Sequence, residues 1–208
     1  MSLKVGVLAL QGDVEEHIRA LKSSMDKLGI EGEALWAKRE EEIRGLDGLV
    51  IPGGESTVIG TLSTLKGAFR ALKERAGDGM PVMGTCAGLV VMARRVYDRV
   101  VGEVDQRTLG LLDVVVERNT FGRQRESFEA YLDIPALGCE GFKGVFIRAP
   151  TVKEIGPGVE VIAKLGSHIV GVKQGNLLGL SFHPELSGDT RIHEHFLKMI
   201  LSYKGLRP

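Results

Sequence analysis

Only two cysteines, Cys86 and Cys139, occur in 208 residues, and they lie far apart. That excludes a disulfide-stapled secreted scaffold, and a free thiol fits a reducing compartment. Neither sign of charge is in excess, since Lys+Arg and Asp+Glu both number 27. With no basic stripe and no acidic tail, nucleic acid and membrane surfaces are poor candidates for partners. No apolar run reaches membrane-spanning length. Met1-Ser2-Leu3-Lys4 leads straight into a strand pattern without the apolar core of a signal peptide. A cytoplasmic location is therefore expected. Asparagine is scarce, at Asn119 and Asn176 only, beside many Glu, Lys and Arg, a composition that leans toward thermophilic chains. Repeats, low-complexity tracts and linkers are also missing, so residues 1–208 read as one domain, long enough for a full core.

What is present alternates in period. Residues 4–10 read as a strand and 13–28 as a helix, with Asp13 and Glu16 spaced as a capping box. Val14, Ile18, Leu21, Met25 and Leu28 form its apolar stripe, and Gly29 stops it. Strands follow near 34–36 and 49–51, then helices over 56–65 and 68–76. After the helix that follows Cys86 the chain is β-rich up to Phe182, and a last helix covers about 190–203. The pattern predicts an α/β fold with a mainly parallel central sheet, helices on both faces and a β-rich second half. Sites in such sheets lie at the carboxyl ends of strands. Ile51, Met83 and Phe182 each immediately precede one of the segments singled out below.

The first of these is Gly84-Thr85-Cys86-Ala87-Gly88. It follows the apolar run Pro81-Val82-Met83 and leads into Leu89-Val90-Val91-Met92, a buried-helix composition. This is the cysteine version of the strand–turn–helix nucleophile elbow. A side chain thrust out on such a turn crowds its neighbours, and glycine tolerates the crowding. The thiol would sit at a helix N-terminus, which favours thiolate, with the Ala87 N–H free to meet an oxyanion. Cys139, in Leu137-Gly138-Cys139-Glu140, has no strand leading into it and reads as an incidental thiol.

The second is Ser181-Phe182-His183-Pro184-Glu185, at the end of another apolar run. Pro184 biases His183 toward extended backbone, where residues i and i+2 point the same way. Glu185 could then orient the His183 imidazole and stabilise its protonated form. The other histidines read as surface or ordinary packing. His193 and His195 are two apart on a helix, which argues against a metal pair, and no metal site is expected.

The third is Pro52-Gly53-Gly54-Glu55-Ser56. Adjacent glycines let backbone N–H groups face a ligand, and no Gly-Lys-Ser/Thr follows to make a phosphate loop. Ser56 is a candidate helix N-cap. Arg118 and Arg148 each close an apolar strand pattern, either as solvated ends or as clamps for a carboxylate.

Taken together, these stretches resemble the class I glutamine amidotransferases, a flavodoxin-like α/β family. The match is closer to the branch formed by glutaminase subunits of pyridoxal 5′-phosphate synthase. The elbow and His183-Pro184-Glu185 are shared across the wider family. Phe121-Gly122-Arg123-Gln124 and Ser127-Phe128-Glu129-Ala130 also match, and Leu10-Gln11-Gly12, Glu117-Arg118-Asn119 and Phe146-Ile147-Arg148-Ala149-Pro150 are specific to the branch. The resemblance implies a triad of Cys86, His183 and Glu185. It implies glutamine held by Gly53, Gly54, Glu55, Arg118, Ile147 and Arg148, and an oxyanion met by Gly54 and Ala87. It further implies ammonia delivery to a synthase subunit in a hetero-oligomeric complex. Pyridoxal phosphate is then the product of the complex, and the chain itself takes no cofactor. Residues 97–108 are longer than the short polar loop usual in the branch, which bears on a local loop or partner surface. A glutaminase serving another pathway, such as imidazole glycerol phosphate synthase, would carry the same triad. A non-enzymatic protein with a cysteine elbow would not need His-Pro-Glu after a strand.

Overall fold

A computed structural model of the chain describes residues 2–121 and 127–206, so Gly122, Arg123 and Gln124 of the matching stretches lie outside the described residues. The elements in order are β1 (Leu3–Leu8), α1 (Val14–Leu28), β2 (Gly32–Ala37), α2 (Glu40–Arg44), β3 (Gly48–Ile51), α3 (Ser56–Leu65), α4 (Ala68–Gly77), β4 (Val82–Thr85) and α5 (Ala87–Met92). The β-rich half follows with β5 (Ala93–Asp98), β6 (Gly102–Val104), β7 (Leu112–Arg118), β8 (Ser127–Ile134), β9 (Cys139–Ile147), β10 (Thr151–Ile155), β11 (Glu160–Leu165), β12 (His168–Gln174) and β13 (Leu177–Leu180). Helix α6 (Arg191–Tyr203) closes the fold.

The large sheet runs in the order β2-β1-β3-β4-β13-β12-β10-β7-β5-β6, with β11 pairing β12 off this path. Every pairing from β2 to β13 is parallel. Beyond β13 the ladders turn antiparallel through β12 and β10 to β7, and β5 then lies parallel to β7. Strands β8 and β9 form a separate antiparallel hairpin.

Side-chain alternation on the parallel strands splits the core in two. Leu3, Val5, Val7, Val50 and Met83 face α1, α6 and the β8–β9 hairpin. Leu49, Ile51 and Val82, their neighbours of opposite parity, face α2, α3, α4 and α5. Both faces of this half are thus buried, which is why its strands read as continuous apolar runs. The stripe on α1 packs as expected, and Gly29 ends the helix in the left-handed conformation at φ 65°. Among the described residues no helix is long and apolar enough to cross a membrane.

Three local expectations change. Asp13 stands at the N-cap of α1 without a side-chain cap bond, because its carboxylate is used elsewhere. Ser56 is the first residue of α3, with Glu55 at the cap position, and its hydroxyl donates to Gln106 at 3.4 Å. The five-residue α2, with no apolar period of its own, was not anticipated. Cys139 opens β9 within the core, where burial pushes its thiol up.

Close approach of α5 to the sheet depends on glycine. A Cβ on Gly88 would lie 2.0 Å from the Ile51 carbonyl oxygen, and one on Gly84 would lie 2.7 Å from the Gly88 backbone. Gly77, by contrast, has open space around it. Gly88→Ala should therefore cost about 1–3 kcal/mol by overpacking against backbone that cannot move aside. Gly77→Ala should be neutral or stabilise by roughly 0.5 kcal/mol. Denaturant unfolding of the two variants checks the contrast, and equal stabilities would contradict the packing described.

Candidate active site

The ladder between β4 and β13 sets Thr85 beside Leu180, and the Cys86 N–H donates to the Leu180 carbonyl at 2.8 Å. Immediately past this bond the chain turns sharply. Cys86 takes φ 49°, ψ −106°, outside the ordinary regions for a side chain, which costs on the order of 1–3 kcal/mol. Ala87 opens α5, so its N–H has no acceptor within the helix. The thiol donates to the Ile147 carbonyl at 3.7 Å, which brings β9 over the elbow.

His183 follows β13 and is held by its own N–H, which donates to the Val145 carbonyl of β9 at 2.8 Å. Its ring Nδ1 lies 2.7 Å from Glu185 Oε1 and 3.2 Å from Asp13 Oδ2. His183 itself is extended as expected, at φ −102° and ψ 90°, and a 3-10 turn over Pro184–Leu186, in place of a continued extended chain, carries Glu185 to the ring. Two carboxylates on Nδ1 place the proton there. His183 Nε2 is buried and has no hydrogen-bond partner among the described residues, so it is the nitrogen left to exchange a proton. Burial works against a charged imidazole. Hydrogen bonds of Nδ1 with Asp13 and Glu185, together with the neighbouring Cys86, outweigh it and push the His183 pKa up to about 12. The hydrogen bond from His183 also holds the Asp13 carboxyl below its ordinary value. For Glu185 burial dominates and raises the carboxyl, and the contact with His183 opposes that rise.

These groups share a cleft of about 270 Å³ lined by Gln11, Asp13, Gly54, Glu55, Ser56, Cys86, Ala87, Val90, Arg118, Asn119, Ile147, Arg148, Pro150 and His183. Three non-glycine residues have positive φ among the described residues, namely Cys86, Asn119 at 58° and Arg148 at 43°, and all three line it. Backbone strain is thus gathered at one place. Gly54 also lines the cleft, at φ 147°, a conformation open to glycine. Gly53 is buried behind it, where a Cβ would meet the His183 ring at 2.3 Å.

Cation and anion stand together at the mouth. Arg118 donates to Gln106 Oε1 at 3.1 Å and lies 3.9 Å from Glu55. Gln106 belongs to the long 97–108 segment, so that segment touches the site as well as forming the β5–β6 hairpin. The Leu10-Gln11-Gly12 turn lies against the glycine loop. Gln11 Oε1 accepts from the Glu55 N–H at 2.7 Å, and a Cβ on Gly12 would lie 1.7 Å from the Gly53 carbonyl.

Gly53, Gly54, Glu55, Cys86, Ala87, Arg118, Ile147, Arg148, His183 and Glu185 therefore converge here, and three residues not assigned to the site join them. Asp13 contacts His183 from the N-cap of α1. His17 and His193 are fully buried behind Glu185, not at the surface. Their signal was present. His17 falls inside the stripe Val14, Ile18, Leu21, and His193 is spaced likewise with Phe196, Leu197 and Ile200.

The family model for the SNO glutamine amidotransferase family matches residues 7–202. A pyridoxal 5′-phosphate synthase subunit PdxT of Nitrosopumilus maritimus is 47% identical over 204 residues, covering 98% of this chain and 100% of that protein. The protein of the same name from Pyrococcus furiosus is 50% identical over 200 residues, covering 96% and 100%. A crystal structure of a glutamine amidotransferase superposes with a TM-score of 0.81 at 45% identity, covering 94% of this chain and 98% of that one. The PurLQS structure from Thermotoga maritima, at 18% identity and a TM-score of 0.66, shares the fold.

Asp13→Asn replaces a charged acceptor of the His183 N–H by a neutral one. The imidazolium then loses stabilisation and its pKa falls, so the alkaline limb of the kcat/KM profile should move to lower pH. A profile identical to that of the unmodified chain would remove Asp13 from the site.

Proposed function

The chain belongs to the SNO glutamine amidotransferase family, and on that premise we propose that Cys86, His183 and Glu185 are its catalytic triad. The protein hydrolyses L-glutamine to L-glutamate and ammonia and supplies the ammonia for pyridoxal 5′-phosphate synthesis. It works with a synthase subunit, and we extend this to a hetero-oligomeric complex that accepts the ammonia. The observation that carries the triad is the His183 imidazole, held at Nδ1 by two carboxylates beside a strained cysteine elbow.

The reaction follows from these positions. His183 takes the thiol proton, and Cys86 Sγ attacks the side-chain amide carbon of glutamine. The oxyanion is met by N–H groups of Ala87 and Gly54. The His183 imidazolium protonates the departing nitrogen, ammonia leaves and a thioester remains on Cys86. Water, deprotonated by His183, then releases glutamate. Arg118 and Arg148 take the α-carboxylate of glutamine, Glu55 takes its α-ammonium, and the Ile147 carbonyl adds an acceptor beside the sulfur. Gly53 lets the imidazole approach the loop. Because a peptide between glycines turns over at little steric cost, the Gly54 donor can also be set by the partner.

Cys86→Ala should retain the fold and lose activity by a factor on the order of 10⁴ or more, since these residues act as a unit. Cys139→Ala should stay near full activity, and a glutamine-like electrophile should label Cys86 alone in mass spectrometry. Labelling at Cys139 with Cys86 untouched would reverse the assignment.

Arg118→Ala should raise KM for glutamine about ten- to a hundredfold, the value of a charge-assisted pair, with a smaller effect on kcat. Steady-state ammonia release in the presence of the synthase measures both constants. An unchanged KM would leave Arg118 a solvated strand end.

A further inference from the structure

The triad does not end at Glu185. That side chain is fully buried, and only its Oε1 meets His183. Its Oε2 is buried without a hydrogen-bond partner among the described residues and lies 3.3 Å from His17 Nε2, which is hydrogen-bonded to Thr85 Oγ1 at 3.1 Å. On its other side His17 Nδ1 lies 3.0 Å from His193 Nε2. All of these side chains are buried: His17 on the first turn of α1, His193 on the first turn of α6, and Thr85 next to the elbow.

A neutral imidazole has one N–H and one lone pair. If His17 carried its proton on Nδ1, a lone pair would face a buried carboxylate oxygen, an arrangement that costs free energy in a low dielectric. With the proton on Nε2, the N–H bonds to Thr85 Oγ1 and sits beside the Glu185 carboxylate, and Nδ1 accepts from His193 Nε2–H. One assignment thus satisfies the His17–Thr85 and His17–His193 hydrogen bonds and turns the donor side of the ring to Glu185 Oε2, which, like His193 Nδ1, has no other partner among the described residues. We propose that His17 and His193 form a neutral two-imidazole relay that holds Glu185 in its carboxylate form and in line with His183. Both are positioning residues, and the consequence for turnover rests on the glutaminase reading above. Burial, with repulsion from His193 and His183, keeps His17 well below the ordinary histidine range, and burial holds His193 at about 4. The relay therefore donates hydrogen bonds without adding a cation to the cluster. Among the described residues, the titratable groups facing Glu185 are His183 and Asp13 on one side and His17, backed by His193, on the other. Cys86 acts through His183.

Two measurements test this. Long-range proton–nitrogen correlation spectra of the full-length chain should show His17 and His193 as neutral Nε2–H tautomers from about pH 6 to about pH 8. An Nδ1–H or doubly protonated His17 overturns the relay. In the complex with the synthase subunit, His17→Leu should lower kcat about ten- to a hundredfold with KM for glutamine little changed. Glu185, short of a donor, ionises less readily, so the His183 pKa falls and the alkaline limb moves to lower pH. His17→Gln restores an amide N–H and should recover most of both effects. A folded His17→Leu variant with wild-type kcat and pH profile also overturns the proposal. If the unmodified complex released no ammonia from glutamine, the glutaminase reading would fall, and the tautomers would still decide the relay.

Discussion

The pairing of β4 with β13 is the contact on which the site depends. Leu180 beside Thr85, sealed by the Cys86 N–H to the Leu180 carbonyl, puts the last residues of two strands far apart in sequence at one sheet edge. A parallel ladder directs both strands the same way, so their following turns emerge on the same side. The cysteine and the histidine share a cleft for that reason. Slipping the register by one residue would turn each side chain to the opposite face and separate them.

Electrostatics then decides how the cluster stays charged. A buried imidazolium is costly alone, and a buried carboxylate is costly alone. His183 and Glu185 each offset the other, and Asp13, only partly buried, adds a second acceptor. The acid–base work is thus assigned by contact geometry more than by residue type.

The same region concentrates conformational cost. Cys86, Asn119 and Arg148 take left-handed φ values, and Gly12, Gly53 and Gly88 occupy places where a Cβ would strike backbone or the imidazole. These positions are kept by the surrounding core, which is buried on both faces of the parallel half. Strain supported in this way is a common property of sites that must present a nucleophile before substrate arrives.

The sequence by itself determined whatever depends on near neighbours. Apolar periods placed β1, α1, β3, β4, α5 and α6, and the glycines at 84 and 88 marked the elbow. His183 and Glu185 were legible because two residues separate them, even though a 3-10 turn and not an extended strand joins them. Tertiary structure alone decided what depends on distant partners. Asp13 fitted a helix-cap pattern, yet its carboxylate meets a histidine 170 residues away. His17 and His193 looked like members of two helices and meet 176 residues apart behind Glu185, and Gln106 reaches Arg118 from the long hairpin segment. The physical reason is one of range. Backbone sterics and hydrophobic period act over a few residues and are written in local order. Hydrogen bonds between buried side chains exist only once the sheet register and the packing of α1 against α6 have brought their elements together.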